Sequence, residues 1–368
     1  MNVVIVTEPD DIHAVLVKLA LEKKGCRCDL FFSADMPSKH ENSIYCDYDH
    51  FTWITGASET DRVMSANDVT AVWWRRPRKP FISDDVHKND RAFIVRENSV
   101  YHHSIPFLFN DSAWWVNPYS SQVKSQSKIV QLKVARQCGF ALPLTLISNS
   151  PHRIKDFIKN NEDSGVIYKP FTPYYGIDND GLKILYTNRV CLNDLPSDKM
   201  LKITPGIYQR YVDKKYELRV TCFGRMISAV KIDSQSHRLG KTDWRRAPAG
   251  DYAISKVELP EDIKERIILF MNNMGIVFGC FDFIVTKDDD YIFLEVNEQG
   301  QFLWVEDINP QCCYLDMFAD YLIQASFDFN WVKSAETLHS ADFTDEAQAI
   351  VDANVKKHVY LNGVERVA

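Results

Sequence analysis

Apolar and polar positions along the first 80 residues follow the pattern of a small α/β unit. MNVVIVTEP contains a continuous apolar run, which is typical of a strand buried on both faces of a parallel sheet. Apolar positions at helical spacing follow in DDIHAVLVKLALEKKG, and Gly25 is placed to end that helix. CRCDLFFSA and AVWWRRP predict two further strands. This alternation predicts parallel strands covered by helices.

A second unit begins after WWVNP at residues 114–118. Residues 121–139 place apolar side chains at helical spacing, which predicts one amphipathic helix ending before Gly139. Strand patterns dominate from residue 201, with a helix at 260–274 and a final hairpin. The segments concerned are ALPLTLISN, SPHRIKDFIKN (a helix), GVIYKP, GIYQRYV, YELRVTCFG, RMISAVKID and GCFDFIVTKDDDYIFLEVN. We therefore expect an α/β (α+β) protein with more than one domain.

The final hairpin is predicted to bring two acidic side chains opposite each other. If residues 287–290 form the loop, Thr286 pairs with Tyr291, and counting back along both strands pairs Asp282 with Glu295. Asn297 shares their face, because residues two apart on a strand point the same way. The opposite face is predicted to carry Phe281, Phe283 and Leu294.

Two carboxylates directly opposite on a sheet repel each other unless a cation lies between them. Carboxylate and amide oxygens are ligands that suit Mg²⁺, which often completes its shell with nucleotide phosphates. The alternative is a solvated hairpin face on which the charges align by chance. The pattern favours a metal site at Asp282, Glu295 and Asn297.

Basic side chains occur at several strand and helix ends. Lys169 ends a strand before the loop at 170–178, where it could hold a phosphate as a point charge with the loop folded over it. Lys128 begins a helix pattern. Taken singly, each could equally be an ordinary surface lysine.

Glu217 and Arg219 alternate along one strand and therefore share a face. They could form a surface ion pair worth about 0–1 kcal/mol, or Arg219 could be aimed at a nucleotide phosphate. Lys231 on the next strand joins that face if the turn FGR has three residues, and does not if the turn has two.

Composition narrows the function classes. The chain has 368 residues, 45% of them hydrophobic and 25% charged, and a net charge of −7, which argues against nucleic-acid backbone as its main partner. WWRRPRKP at 73–80 could suit single-stranded nucleic acid, but no second such patch occurs. We expect no signal peptide and no membrane span. Nine irregularly spaced cysteines favour reduced, mostly buried thiols in a cytoplasmic protein.

In this order the pieces resemble the ATP-grasp fold, and most closely the microviridin-type (graspetide) peptide ligases, relatives of the ribosomal-protein glutamyl ligases. The resemblance covers roughly residues 70–305. Its segments are VWWRRP, WWVNP, KIVQLKVARQCGFALPLTLISN, VIYKP, YELRV, DWRR and FGCFDFIV…YIFLEVNEQGQFLWVE. It implies an N-terminal parallel-sheet pre-ATP-grasp domain at 1–118, a central ATP-grasp subdomain at 119–200, a C-terminal subdomain with the metal site at 201–330, and an extension of unknown role at 331–368.

The resemblance also implies roles for individual residues, and cofactors of ATP and two Mg²⁺ ions. The residues that resemble nucleotide-binding positions are Lys128, Lys169, Gln209, Arg210, Tyr211, Val212, Glu217, Arg219 and Lys231. Those that resemble metal ligands are Asp282, Glu295 and Asn297. Asp243 and Arg245, in the polar segment 234–248, resemble an Asp-x-Arg pair that holds the acceptor peptide, although a solvated loop ion pair is the alternative. Catalytic roles are implied for Lys169, Arg219, Asp243 and Arg245.

The implied reaction is ATP-dependent ligation of a carboxylate through an acyl phosphate, forming ester or amide side-chain crosslinks in a ribosomally made precursor peptide. One alternative is a glutamyl or amino-acid ligase acting on a protein tail or a small substrate. Another, from a different class, is a nucleotide-binding module without turnover. The expected partner is a precursor peptide or protein tail, with neither nucleic acid nor membrane, and a homodimer is one assembly left open.

Overall fold

The computed structural model describes residues 1–57, 64–172, 175–178, 181–184, 187–238, 240–246 and 252–361. The strands are β1 (Asn2–Thr7), β2 (Arg27–Phe32), β3 (His40–Cys46), β4 (Phe51–Ala57), β5 (Met64–Ser65), β6 (Ala71–Trp74), β7 (Trp114–Val116), β8 (Thr145–Ser148), β9 (Val166–Lys169), β10 (Tyr175–Asp178), β11 (Gly181–Ile184), β12 (Asn188–Val190), β13 (Gly206–Arg210), β14 (Tyr216–Phe223), β15 (Met226–Ile232), β16 (Ile254–Val257), β17 (Phe278–Val285) and β18 (Tyr291–Asn297). The α-helices are α1 (Ile12–Lys23), α2 (Arg91–Ser104), α3 (Tyr119–Ser125), α4 (Lys128–Gln137), α5 (Pro151–Asn160), α6 (Asp198–Ile203), α7 (Glu261–Met274), α8 (Leu303–Ile308), α9 (Tyr314–Gln324) and α10 (Thr344–Lys357). Over these ranges, no helix combines the length and apolarity that a bilayer crossing requires.

The N-terminal unit has the predicted parallel sheet, in the order β2-β1-β6-β7. Beside it, β3, β4 and β5 form a three-stranded antiparallel sheet that sequence reasoning missed. Most of β3 is exposed, so its sequence shows no regular apolar face from which a strand could be predicted.

The central sheet is antiparallel, in the order β12-β9-β13-β8. β13 pairs on both sides within this sheet, although it lies beyond residue 200, where the central subdomain was expected to end. A five-stranded antiparallel sheet, β16-β15-β14-β17-β18, follows in the chain. The chain passes from the central sheet to the five-stranded sheet after Gly206–Arg210, and the nucleotide-binding candidates Gln209 to Val212 lie at this junction.

The hairpin of β17 and β18 has the predicted pairing at its functional end and a different register at its loop. Val285, not Thr286, pairs with Tyr291, so the turn is one residue longer than predicted. A β-bulge next to Asp282 then restores the predicted pairing of Asp282 with Glu295. Because of the bulge, the predicted position of Leu294 is wrong: its side chain lines a cleft instead of packing in the core. Phe293 takes the core position, packed against the rings of the other core phenylalanines.

The single helix predicted over 121–139 is in fact two helices, α3 and α4. The break falls at Ser127, whose hydroxyl accepts a hydrogen bond from the backbone N–H of Val130 and caps α4. Periodicity alone could not reveal the break, because the apolar spacing continues across it. Gln131 lies in the first turn of α4, so the start of this helix decides where its side chain points.

The C-terminal extension, of unknown role at the sequence level, returns to the N-terminal unit. α10 packs against α1, and its buried Ala347 and Val351 belong to the same apolar cluster as Val15 and Leu19 of α1. The segment thus closes the core beneath the first parallel sheet.

Buried polar side chains hold the backbone where β18 ends. Gln131 bonds both the N–H and the carbonyl of Val296, each at 2.9 Å. Asn117 donates to the carbonyls of Glu298 (2.8 Å) and Phe278 (2.9 Å). Its own amide oxygen accepts from the N–H groups of Val277 and Phe278. Every hydrogen-bonding site of the Asn117 amide is therefore occupied.

Arg75 completes this set from the N-terminal unit. Its guanidinium donates to the carbonyls of Gln299 and Gly300 and is paired with Asp11, and all of these groups are buried or nearly so. The segment WWRRP thus packs against the strand end, which leaves Trp73, Trp74 and Arg75 buried and not available to stack on nucleic-acid bases.

We predict that Asn117→Ala lowers the free energy of unfolding by at least about 3 kcal/mol. The change strands four buried backbone groups, and each costs about 1–3 kcal/mol when left unpaired. Urea titration followed by tryptophan fluorescence measures it. Asn149→Ala is the matched control, since the exposed Asn149 amide makes one hydrogen bond, to the carbonyl of Lys202. Equal midpoints for the two variants would contradict this account.

Candidate active site

A cleft lies between the central sheet and the five-stranded sheet. It encloses about 610 Å³ when the open space at its mouth is included. The predicted residues that line it are Lys169, Gln209, Arg210, Tyr211, Val212, Glu217, Asp243, Arg245, Asp282 and Glu295. Residues from distant parts of the chain therefore meet at one cavity, as the sequence predicted.

Four charged side chains form a row at the base of the cleft. Arg219 and Asp282 are cross-strand partners, as are Asp282 and Glu295. Arg219 Nη1 lies 2.9 and 3.0 Å from the two carboxylate oxygens of Asp282. At the other end, Lys128 Nζ lies 3.2 Å from Glu295 Oε2. The order is cation, carboxylate, carboxylate, cation.

The two carboxylates differ in their electrostatics. Burial raises the pKa of Asp282, and the adjacent Glu295 adds to the rise while Arg219 opposes it. Burial also acts to raise the pKa of Glu295, but Lys128, Lys169 and Arg245 outweigh it and hold that pKa below its usual value. Glu295 is thus the more firmly ionised member of a like-charged pair.

The residues present fit a hard divalent cation. Two carboxylates share one face at neighbouring strand positions, and the face opens to a cleft, which matches the oxygen ligands that Mg²⁺ prefers. The third predicted ligand, Asn297, is on the same face, where it pairs with Cys280. Its side-chain oxygen accepts from the N–H groups of Gln299 and Gly300, each at 3.1 Å. Asn297 is therefore engaged in shaping the turn, and the two carboxylates are the available donors.

Lys169 reaches the cleft from the central sheet. Burial lowers the pKa of its ammonium, opposed by the charge of Glu295 and reinforced by Lys128 and Arg245. A partly desolvated cation between other cations gains strongly from an incoming anion. The predicted phosphate-covering loop at 170–178 lies partly outside the described residues.

The rim segment Gln209–Val212 comprises the last two residues of β13 and the two that follow it. Gln209 is buried and its amide nitrogen donates to Thr145 Oγ1 at 3.0 Å. Beyond it, the buried ion pair of Lys214 with Glu217 (2.8 Å) closes this end of the cleft. Burial raises the pKa of Glu217 despite the lysine. Lys214 was missed at the sequence level, although DKKYE places a lysine three residues before Glu217.

Two predictions about β14 and β15 need correction. Glu217 and Arg219 share a face as predicted but do not pair with each other, since Lys214 and Asp282 are their partners. Lys231 lies on the other face, because the turn has two residues and pairs Lys231 with Leu218. Its ammonium lies 4.7 Å from the ring centroid of Tyr216. The geometry thus removes Lys231 from the set of nucleotide-binding candidates.

Asp243 and Arg245 form a bidentate pair at the cleft wall. Arg245 Nε and Nη2 each lie 2.8 Å from an oxygen of Asp243, whose side chain is buried. Burial acts to raise the pKa of Asp243, but Arg245 holds it below its usual value. About half of the Arg245 side chain stays exposed, so part of the guanidinium remains accessible to a ligand.

No protein-family model and no curated protein matches this chain. Solved structures do. A RiPP-associated ATP-grasp ligase from Chryseobacterium gregarium, in complex with ADP and a leader and core peptide, is 26% identical over 90% of this chain and 99% of that chain, with a TM-score of 0.78. The macrocyclase MdnC from Microcystis aeruginosa MRC, bound with precursor peptide MdnA, is 28% identical over 88% of this chain and 100% of that chain, with a TM-score of 0.75.

The chain is an ATP-grasp ligase. D-cycloserine synthetase DcsG, 13% identical over 88% of this chain and 98% of that chain with a TM-score of 0.52, supports the same fold. The predicted fold class and the predicted resemblance to graspetide ligases are confirmed.

The ligase has a second cleft next to the carboxylate row. It shares Asp282, Glu295, Trp244 and Arg245 with the first cleft. The residues that line only the second cleft include His13, Arg219, Tyr252, Asn297, Gln301, Trp304 and Asp307. The two clefts therefore meet at the two carboxylates.

Trp244 and Trp304 form part of that second cavity and were missed at the sequence level. Their rings stack with centroids 4.7 Å apart, and Trp304 Nε1 donates to the carbonyl of Gln301 at 3.0 Å. The same carbonyl accepts from Arg219 Nη2 at 2.9 Å. The stack thus fixes the turn that carries Asp243 and Arg245 relative to Arg219.

We predict that Lys169→Ala in the ligase weakens ATP binding at least about tenfold, because it removes a charge-assisted contact worth about 1.5–3 kcal/mol. Isothermal titration calorimetry gives the Kd. Lys231→Ala is the control, since that lysine faces away from the cleft. If both variants bind ATP like the unmodified protein, the nucleotide binds elsewhere.

Proposed function

We propose that this ligase uses ATP to crosslink side chains of a ribosomally made precursor peptide. The γ-phosphoryl group of ATP is transferred to a side-chain carboxylate, giving an acyl phosphate and ADP. A side-chain hydroxyl or amine of the same peptide then attacks the acyl carbon, loses its proton and displaces phosphate. Each ester or amide bond formed removes the elements of one water molecule from the peptide.

The observation that carries this proposal is the pair of clefts that meet at Asp282 and Glu295. ATP in the first cleft would meet Lys169 and the two carboxylates, which are themselves paired with Lys128 and Arg219. An acceptor carboxylate in the second cleft would meet Arg219, Arg245 and the same two carboxylates. Two substrates bound in this way would be brought together at one group of charges, as phosphoryl transfer between them requires.

Asp282 and Glu295 would hold Mg²⁺, with Asn297 joining them only if its bonds to the turn are released. The ion would neutralise charge on the phosphate oxygens during transfer. In its absence, Arg219 and Lys128 offset the repulsion between the carboxylates. Glu217 is paired with Lys214, and the two close one end of the first cleft. Gln209–Val212 would line the pocket for the adenine base of ATP.

Asp243 and Arg245 would act on the acceptor side. The exposed part of the Arg245 guanidinium can bind the carboxylate that is to be activated. Asp243, ionised and oriented by its pair, can accept a hydrogen bond or a proton from the attacking group. Arg245 lines both clefts, and Asp243 lines the first.

The RiPP-associated ligase from Chryseobacterium gregarium and MdnC, each solved with peptide bound, support a peptide substrate. All nine cysteines of this chain are free thiols, which favours a reducing compartment, so we propose the cytoplasm as its site of action. A glutamyl ligase acting on a protein tail is the second candidate, and product mass separates the two. Crosslinking removes water from the peptide, whereas ligation of an amino acid adds mass.

We predict that Glu295→Gln abolishes ATP-dependent turnover while the fold is kept, because the substitution is nearly isosteric but removes a metal-binding charge. ADP release in a coupled assay and the urea midpoint are measured together. Glu258→Gln is the control, a carboxylate that is also paired with a lysine but is exposed. Wild-type turnover in Glu295→Gln would refute the metal assignment.

We predict that Asp243→Asn and Arg245→Ala keep ATP binding but lose crosslinking, because both act on the acceptor. The test peptide would come from a short reading frame beside the gene, recognised by clustered Thr, Ser or Lys and Glu or Asp. Mass spectrometry counts the water molecules lost. Arg246→Ala is the control, the neighbouring arginine that lines neither cleft. Full dehydration at the normal rate by either variant would remove that residue from the mechanism.

A further inference from the structure

Asp35, His40 and His358 converge in the N-terminal unit, and none of them lines either cleft. One ligand atom from each lies within 4.8 Å of the other two. Asp35 ends the short turn after β2, His40 begins β3, and His358 directly follows α10. Neither the fold prediction nor the ligase chemistry uses these residues.

The three side chains are largely removed from solvent. Asp35 is fully buried, and the side chains of His40 and His358 are 9% and 15% exposed. The rings of Phe31 and Phe32 lie against the two imidazoles, with centroid distances of 5.7 Å to His40 and 4.4 Å to His358. Such an apolar surround strengthens ionic contacts within it.

The carboxylate of Asp35 is oriented by the segment that carries one of the histidines. Asp35 Oδ1 accepts from the backbone N–H of Val359 at 2.7 Å. This leaves Oδ2 to face the imidazoles, with His358 Nδ1 at 2.6 Å and His40 Nε2 at 3.4 Å. A hydrogen bond that fixes a ligating carboxylate is a regular feature of metal sites.

A hydrogen-bonded cluster alone leaves His40 poorly accounted for. Its Nε2 lies at 3.4 Å from Asp35, beyond the usual range for a hydrogen bond, and its Nδ1 is buried without a hydrogen-bond partner within the described ranges. A metal ion between Nε2 and the carboxylate would give the His40 ring a partner that the hydrogen-bonded arrangement does not supply.

We propose that Asp35, His40 and His358 form a site for Zn²⁺, with water as the fourth ligand. Two imidazoles and a carboxylate are a donor set that zinc takes in tetrahedral geometry. At zinc–ligand distances near 2.0–2.1 Å, ligand atoms lie about 3.3 Å apart. The separation of His40 from Asp35 already fits this value, and that of His358 must widen.

Zinc at this position would fasten the C-terminal segment to the N-terminal unit. It would join residues 35 and 40 to residue 358, across almost the whole chain. Cross-links that close long loops stabilise a fold most in the loop-entropy treatment. The site would therefore support the packing of α10 on α1 and would leave the reaction chemistry unchanged.

The test uses the full chain without a purification tag, in buffer with excess Mg²⁺ to fill the carboxylate site. Competition with a chromogenic chelator gives the Kd for Zn²⁺, and thermal unfolding is followed with and without the ion. We expect Zn²⁺ to raise the Tm of the unmodified protein, and His358→Gln and His40→Gln each to weaken binding at least about 100-fold. His152→Gln is the matched control, since His152 is paired with Asp156 at 3.0 Å but is exposed.

Cobalt substitution gives a readout that does not depend on the variants folding. Co²⁺ bound to the unmodified protein should show the intense visible absorption of a four-coordinate ion, and Zn²⁺ should abolish it. Equal Zn²⁺ affinity in the unmodified protein and both histidine variants would overturn the proposal. So would an octahedral cobalt spectrum, or no binding at all, either of which would make the cluster a hydrogen-bonded contact.

Discussion

The position of the active-site strand depends on buried side chains that hydrogen-bond its backbone. Gln131, Asn117, Arg75 and Arg219 bond the main chain of residues 296–301 one after another, and each comes from a different part of the sequence. Beyond Asn297 the sheet ladder ends, so these backbone groups would otherwise be buried without partners. The polar residues of this segment therefore serve the hydrogen bonding of the strand end as well as ligand binding. The side-chain oxygen of Asn297, for example, accepts hydrogen bonds from the backbone of the turn.

The same contacts tie the carboxylate row to the rest of the molecule. Arg219 bonds both Asp282 and the carbonyl of Gln301, so the charged row and the strand end share one guanidinium. Gln301 in turn receives Trp304, whose ring stacks on Trp244 next to Asp243. Since close-packed interiors transmit strain, we expect a shift at the Trp244–Trp304 stack to reach Arg219. The proposed acceptor and phosphate sides would therefore be linked through Gln301 and Arg219.

Sequence reasoning named most of the charged side chains that meet at the first cleft, but not the buried groups that hold them in place. Asp282 opposite Glu295 was predicted correctly because two departures cancelled, a longer turn and a bulge at Leu294. The sheet face on which Lys231 lies could not be predicted, because it depends on whether the turn has two residues or three, and the sequence FGR permits both. Asn117 and Gln131 could not be found, since a buried amide that bonds distant backbone has no local pattern. Side chains that carry charge at a strand end are visible in a sequence, whereas the groups that hold that strand end are not.

The N-terminal unit contributes directly to the site and is more than a platform beside it. Arg75, paired with Asp11, reaches the carbonyls of Gln299 and Gly300, and His13, two residues after Asp11, lines the second cleft. The start of one helix therefore supplies both a structural anchor and part of the second cleft. Because α10 packs on that same helix, the C-terminal segment supports the position of α1. The extension without a recognisable motif thus belongs to the same mechanical unit as the catalytic strand.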